Sequence, residues 1–188
     1  GDATYEKAGD IMIHAGKSST QGGSVTLRGG NGTTTAGNIT MHGGFGTRGG
    51  NLELISGGGI TSTGDVVIST SSSSVQSGVV SLSSGSAASS GNMSITTGHA
   101  HSSTAGSILL QPGNSERVAG ELHLFGGNSN TRSGGDILLI SGLSSKGNSG
   151  SIRLLSSTAE PGFKSGDILL TTERTTTSSG DVQILTVD

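Results

Sequence analysis

The feature that most constrains this chain is a repeat of about fourteen residues that runs through almost its whole length. Each repeat begins with a glycine, here called the anchor glycine or position 1. Thirteen such anchors in one phase argue against a flexible linker or a disordered tract, although the Gly, Ser and Thr content alone would be typical of either. The anchors are Gly9, Gly23, Gly37, Gly50, Gly64, Gly78, Gly91, Gly106, Gly120, Gly135, Gly150, Gly166 and Gly180.

An aliphatic residue stands at positions 3 and 5 of every repeat. Because side chains alternate between the two faces of an extended chain, this spacing places both residues on one face. In the stretch "SGGDILLISG", Ile137 and Leu139 are expected to point inward and Leu138 and Ile140 outward. The anchor glycines are expected to supply backbone angles that other residues reach only with strain.

We therefore predict an all-β fold, a single parallel β-solenoid of about thirteen coils over residues 9–188, each coil stacked about 4.8 Å from the next. Residues 1–8 are expected to form an N-terminal cap or the remnant of a preceding coil. Aromatic residues make up only 2% of the chain, so the Ile, Leu and Val core would be thin. The alternative is an antiparallel meander or barrel, but the constant phase favours stacking in register.

The residue content predicts no catalytic chemistry. The only close histidine pair is His99 and His101, and two ligands fall short of the three or four of a usual metal site. No Ser, His and Asp arrangement can be singled out. We predict that the protein is not an enzyme, that it has no metal site or cofactor, and that the histidines are solvated; the others are His14, His42 and His123.

Charge and hydropathy narrow the classes of partner that can be expected. The net charge of −3 provides no basic surface for phosphates, so nucleic acid is not expected to bind. No apolar run approaches the roughly 18 residues of a membrane span. Three N-x-[ST] sequences, at Asn31, Asn38 and Asn92, are candidate glycosylation sites if the protein is secreted.

Outward positions 4 and 6 carry an apolar stripe in the C-terminal half, which the N-terminal half lacks. Contiguous exposed apolar surface usually marks an interface, so this outer stripe is predicted to be a contact between copies. The alternative is that long loops such as "TAEPGFKS", residues 158–165, fold over it. The candidate interface residues, called the outer stripe below, are Phe125, Leu138, Ile140, Leu155, Leu169 and Leu185.

The motif G-[DNS]-[IVL]-x-[ILM], repeated over residues 9–188, resembles that of Gly/Ser/Thr-rich parallel β-solenoid repeat proteins of surface adhesins, extracellular fibres and antifreeze proteins. The resemblance implies a non-catalytic structural or adhesive module at the cell surface or outside the cell. It would be a stiff rod that associates with itself end to end or laterally, with glycans as a further class of partner. The alternative is an ice-binding solenoid, with "TTT" at 33–35 and 175–177 as part of a threonine array.

Overall fold

The computed structural model describes residues 1, 2, 4, 7–173 and 178–186. In this part of the chain there is no helix and no β-strand, and no hydrophobic side chain is buried. The chain divides into two units, Gly1–Met93 and Ser94–Asp188. The same local pattern recurs in both units.

Each repeat consists of a stretch without turns or bends, here called the extended segment, followed by a bent loop. The extended segment occupies positions 1 to 7, and the backbone bends once within positions 10 to 14 of each of the first eleven repeats. Residues 174–177, in the loop of the twelfth repeat, lie outside the described part of the chain. The fourteen-residue period is therefore expressed as a local alternation of segment and loop.

Many loops are closed by one backbone hydrogen bond between their two ends. The N–H of an anchor glycine donates to the carbonyl of the glycine at position 8 of the preceding repeat, as from Gly23 to Gly16 at 2.9 Å. We call this meeting point the neck. Bonded necks in the first unit are 16–23, 30–37, 44–50 and 57–64, and those in the second are 113–120, 127–135 and 142–150.

The predicted β-solenoid is wrong. Stacked coils would make neighbours of residues about fourteen apart, whereas nearly all close approaches in the structure join residues fewer than twelve apart. The bonded anchor amides donate within their own loops rather than to a neighbouring coil. The described residues likewise contain none of the strand pairing that an antiparallel meander or barrel requires.

Composition gives the physical reason for this correction. A repeat offers two aliphatic side chains as its main apolar area, while all of its roughly fourteen residues must lose backbone freedom to fold. The 35 glycines raise that cost, because glycine loses more conformational entropy than any other residue. The small polar loop residues add little apolar area in return.

At most of the bonded necks the anchor glycine is closely approached by other atoms, and no anchor glycine has an unusual backbone angle. Among the described residues, only Gly162 has a positive φ, of 94°. A Cβ added to Gly37 or Gly50 would lie 3.0 Å from the backbone nitrogen at position 8 of the preceding repeat, tighter than most real contacts. The neck therefore selects glycine at position 1 because there is little room for a side chain.

Candidate interaction surface

The two sides of the extended segments differ in exposure. Position 3 residues are 51–57% exposed, apart from Ile11 at 93%, whereas the large apolar residues at position 6 are 72–84% exposed. This difference agrees with the alternation of side chains along an extended chain. The side that was expected to face a core is thus the less exposed one, but it is not buried.

The outer stripe is uncovered in the second unit. Its six residues are each between 72% and 84% exposed. Phe163, in the middle of the 158–165 loop, is itself 80% exposed, and the loop does not shield the stripe. Contact between copies at these side chains stays a prediction.

One outward face contains a side-chain cluster. Glu121, His123 and Phe125 occupy positions 2, 4 and 6 of a single segment, where alternation brings them to one side. His123 Nε2 lies 2.9 Å from Glu121 Oε2, and the His123 ring stacks on Phe125 with centroids 5.6 Å apart. Because all three side chains are exposed, the cluster organises the outer face locally and forms no pocket.

The other histidines stand apart from any chemical site. All five histidines are exposed; His99 lies two residues before a loop bend, and His101 is the first residue of that bend. The described residues contain no group of three or more His, Cys, Asp or Glu that could hold a metal ion, and they enclose no cavity. The described histidines are therefore not gathered with other candidate metal ligands.

The candidate glycosylation sites occupy two kinds of place. Asn38 and Asn92 are at position 2 of their segments, and Asn31 is at the start of a loop, where its Oδ1 accepts a hydrogen bond of 3.2 Å from Arg28 Nη2. All three are exposed. Their modification stays a prediction. Of the two threonine triplets, residues 33–35 lie in a bend, and residues 175–177 fall outside the described part.

Two regularities within the repeat were not anticipated from the sequence. Position 10 is serine in five repeats, and each of these hydroxyls accepts a backbone N–H two or three residues further on; the serines are Ser18, Ser73, Ser115, Ser129 and Ser144. Position 7 is always a small residue or proline. Both regularities are visible in the sequence when the repeats are aligned on their anchor glycines and positions 7 and 10 are compared.

The small residue at position 7 forms the inner wall of the neck. The Cβ of Ala15 lies 3.3 Å, and that of Pro112 3.1 Å, from where a Cβ on the following anchor glycine would be. Where position 7 is itself glycine, as at Gly29, an added Cβ would overlap the carbonyl of the next anchor, Gly37. The neck is therefore a point of close backbone approach that both positions must accommodate.

No helix in the described part of the chain could cross a membrane. Comparison with protein-family models, with curated proteins and with solved structures finds no match to this chain. The repeat, its loops and the two sides of its extended segments are the features of the molecule that bear on its function.

Proposed function

We propose that this chain is a non-catalytic structural or adhesive repeat module of an extracellular or cell-surface fibre, and that it acts by associating with copies of itself. The observation that carries the proposal is the exposure of the outer stripe, six large apolar side chains within one unit. Isolated surface apolar residues are normal, but a recurrent set at the same two positions of successive repeats is typical of a contact surface.

The electrostatics of the chain permit such a contact. The net charge is only −3 over 188 residues, so repulsion between copies is weak. Regular spacing adds to the effect, because two repetitive chains can make several equivalent contacts at once and the second contact forms within an existing complex. No observation favours ice binding, since a flat threonine array requires stacked coils, which the described residues do not form.

The test compares two variants that place the same charges at the same repeat position. Ile140→Lys/Leu155→Lys alters the outer stripe, while Gln111→Lys/Thr171→Lys alters polar residues at position 6 of other repeats in the same unit. Electron microscopy and sedimentation velocity should show fibres or lateral bundles for the unmodified chain and for the Gln111/Thr171 variant. The Ile140/Leu155 variant should lose them.

Two results would contradict the proposal at different points. Unchanged assembly of the Ile140/Leu155 variant would show that the outer stripe is not the contact between copies. An unmodified chain that stays monodisperse and short at every concentration would remove the fibre function itself.

A further inference from the structure

The side of each extended segment that holds positions 1, 3, 5 and 7 is free of charge in all thirteen repeats. It consists of the anchor glycine, two aliphatic residues and a small residue or proline. The opposite side, positions 2, 4 and 6, holds every charged residue of the segments, among them Asp10, Arg28, Glu53, Asp65 and Arg153. Uncharged composition on one side only is typical of a surface that is removed from water.

In the single chain this uncharged side, called the inner side, is not removed from water. Its position 3 residues remain about half exposed in twelve repeats, from Val25 at 54% to Val182 at 54%. In the described part of the chain nearly all close approaches join residues fewer than twelve apart, and no position 3 residue is buried. The inner side, which carries no charged residue, therefore remains about half exposed at position 3 in the single chain.

The accessible surface of the whole chain also shows that little surface is buried. It is 19,742 Å², whereas a folded monomer of 18.4 kDa would expose about 8,200 Å² and its unfolded chain about 26,700 Å². The chain has thus buried only about a quarter of its unfolded surface, against roughly 70% for an ordinary domain of this size. A small ligand or a protein touching one standard patch of about 800 Å² per partner would cover only a few of the thirteen inner sides.

We propose that the inner side is covered by the inner side of a second copy of this chain, repeat against repeat, so that ordering of the segments is coupled to association. A partner for this surface must be uncharged, must extend along many repeats and must have the same fourteen-residue spacing. A second copy meets all three conditions because it has the same sequence. Contacts in which both copies use the same surface are the usual basis of symmetric assembly.

Coupling of order to association follows from the energetics of a glycine-rich chain. An inner side that stays about half exposed buries too little apolar area to offset the conformational entropy of its own repeat. Contact with the inner side of a second copy removes from water the aliphatic area that the single chain leaves exposed, so each segment then buries more area for the same loss of backbone freedom. Each further repeat then joins an existing complex, which makes the association cumulative along the chain.

This inference shares with the proposed function the requirement that copies of the chain bind one another, but it uses the opposite side of the segments. The outer stripe lies in Ser94–Asp188, whereas the inner side is present in both units. The two proposals can therefore be tested in different units of the chain.

Four valines in the first unit provide a matched test. Val66 and Val80 are at position 3, on the inner side, and are 55% and 51% exposed. Val67 and Val79 are their chain neighbours on the opposite side and are 80% and 87% exposed. The variants Val66→Asp/Val80→Asp and Val67→Asp/Val79→Asp add the same two charges to the same two segments.

Sedimentation equilibrium of the unmodified chain should give at least the mass of two chains, falling to one chain on dilution. Val66→Asp/Val80→Asp should weaken this association by roughly a hundredfold or more, because two carboxylates would lose water at a contact between copies. Val67→Asp/Val79→Asp should change it by less than about threefold, as is usual for exposed substitutions.

Amide hydrogen exchange of the unmodified chain gives a second readout that does not depend on any variant. The amides of the extended segments should exchange slowly in the associated state and should lose that protection on dilution to single chains. A chain that has the mass of one copy at every concentration, with protection independent of dilution, would overturn the inference. Equal weakening by both valine variants would overturn it as well.

The same samples separate this inference from the proposed function. Discrete complexes of two chains that never extend into fibres would support the inner-side contact and contradict the fibre. Fibres that form equally well from Val66→Asp/Val80→Asp would support the fibre and contradict the inner-side contact.

Discussion

At the scale of single residues, adjacent glycines in this chain have different tasks. A Cβ at Gly29 would overlap the carbonyl of Gly37, while a Cβ at Gly30 would meet nothing within 4 Å. The pairs Gly43/Gly44 and Gly126/Gly127 repeat this contrast at two other necks. The first glycine of each pair is thus required by close backbone approach, and the second is not required by space.

Substitution of the two members of one pair should therefore give opposite results. Gly29→Ala should disrupt the 2.9 Å hydrogen bond from the Gly37 N–H to the Gly30 carbonyl, and Gly30→Ala should leave it intact. A backbone hydrogen bond contributes about 1 kcal/mol net, so exchange of the Gly37 amide should accelerate roughly fivefold in Gly29→Ala alone. Equal exchange rates in the two variants would show that the neck does not depend on this contact.

Residue-scale reasoning from the sequence was partly successful. It predicted the alternation of side chains, because alternation depends only on local backbone geometry; Leu138 is more exposed than Leu139, at 77% against 59%, but Ile184 on the expected inner side is 86% exposed. It assigned the anchor glycines the wrong reason, since a preference for glycine is the same whether φ or space demands it. Only the position of the facing carbonyl or nitrogen distinguishes the two causes.

At the scale of the local element, the longest loop differs from the others by containing a defined turn. The Phe163 N–H donates to the Glu160 carbonyl at 3.1 Å, with Pro161 and Gly162 between them and φ of 94° at Gly162. Proline followed by a glycine of positive φ is the pattern of a type II turn. The "TAEPGFKS" segment therefore turns back locally and leaves the outer stripe open.

Gly162→Ala should destabilise this turn, because a side chain is strained at positive φ by about 1 kcal/mol. Exchange of the Phe163 amide should accelerate, and Gly142→Ala is a suitable control, since an added Cβ at Gly142 meets nothing within 4 Å and its φ is not positive. Nuclear magnetic resonance of the two variants measures the difference. An unchanged Phe163 amide would show that the turn does not need the Gly162 conformation.

For the outer stripe, the sequence predicts which side chains a segment presents but not which residues cover them. Phe125, Ile140 and Leu155 were predicted to form an apolar outer side, and these side chains are exposed in the structure. The pairing of one repeat with another was not predictable in the same way. A pattern of alternating side chains specifies what a segment presents, whereas the neighbour that covers it depends on the entropy and contacts of many residues together.

At the scale of the whole molecule, the large accessible surface of the single chain has a thermodynamic signature. Cooperative unfolding requires burial, since the heat absorbed and the heat capacity change both scale with the surface that unfolding exposes. A chain of 188 residues that exposes 19,742 Å² has little further surface to release. The predicted single-chain solenoid would have behaved in the opposite way.

Differential scanning calorimetry should therefore show no cooperative transition at concentrations where the protein sediments as one chain. A typical folded domain would absorb about 0.7 kcal/mol per residue near 60 °C, which is readily detected. A sharp transition of that size from single chains would contradict the absence of a core. A transition that appears only in concentrated, associated samples would agree with order acquired between copies.

The necks have a further consequence for how such a chain can change its length. The same hydrogen bond joins residues six apart at 44–50, seven apart at 16–23 and eight apart at 142–150, so each loop absorbs its own extra residue. Insertions at the loop bends would thus leave the phase of the following segments untouched. In protein engineering, the loops closed by a neck hydrogen bond are therefore the places where an inserted peptide is expected to leave the neighbouring segments unchanged.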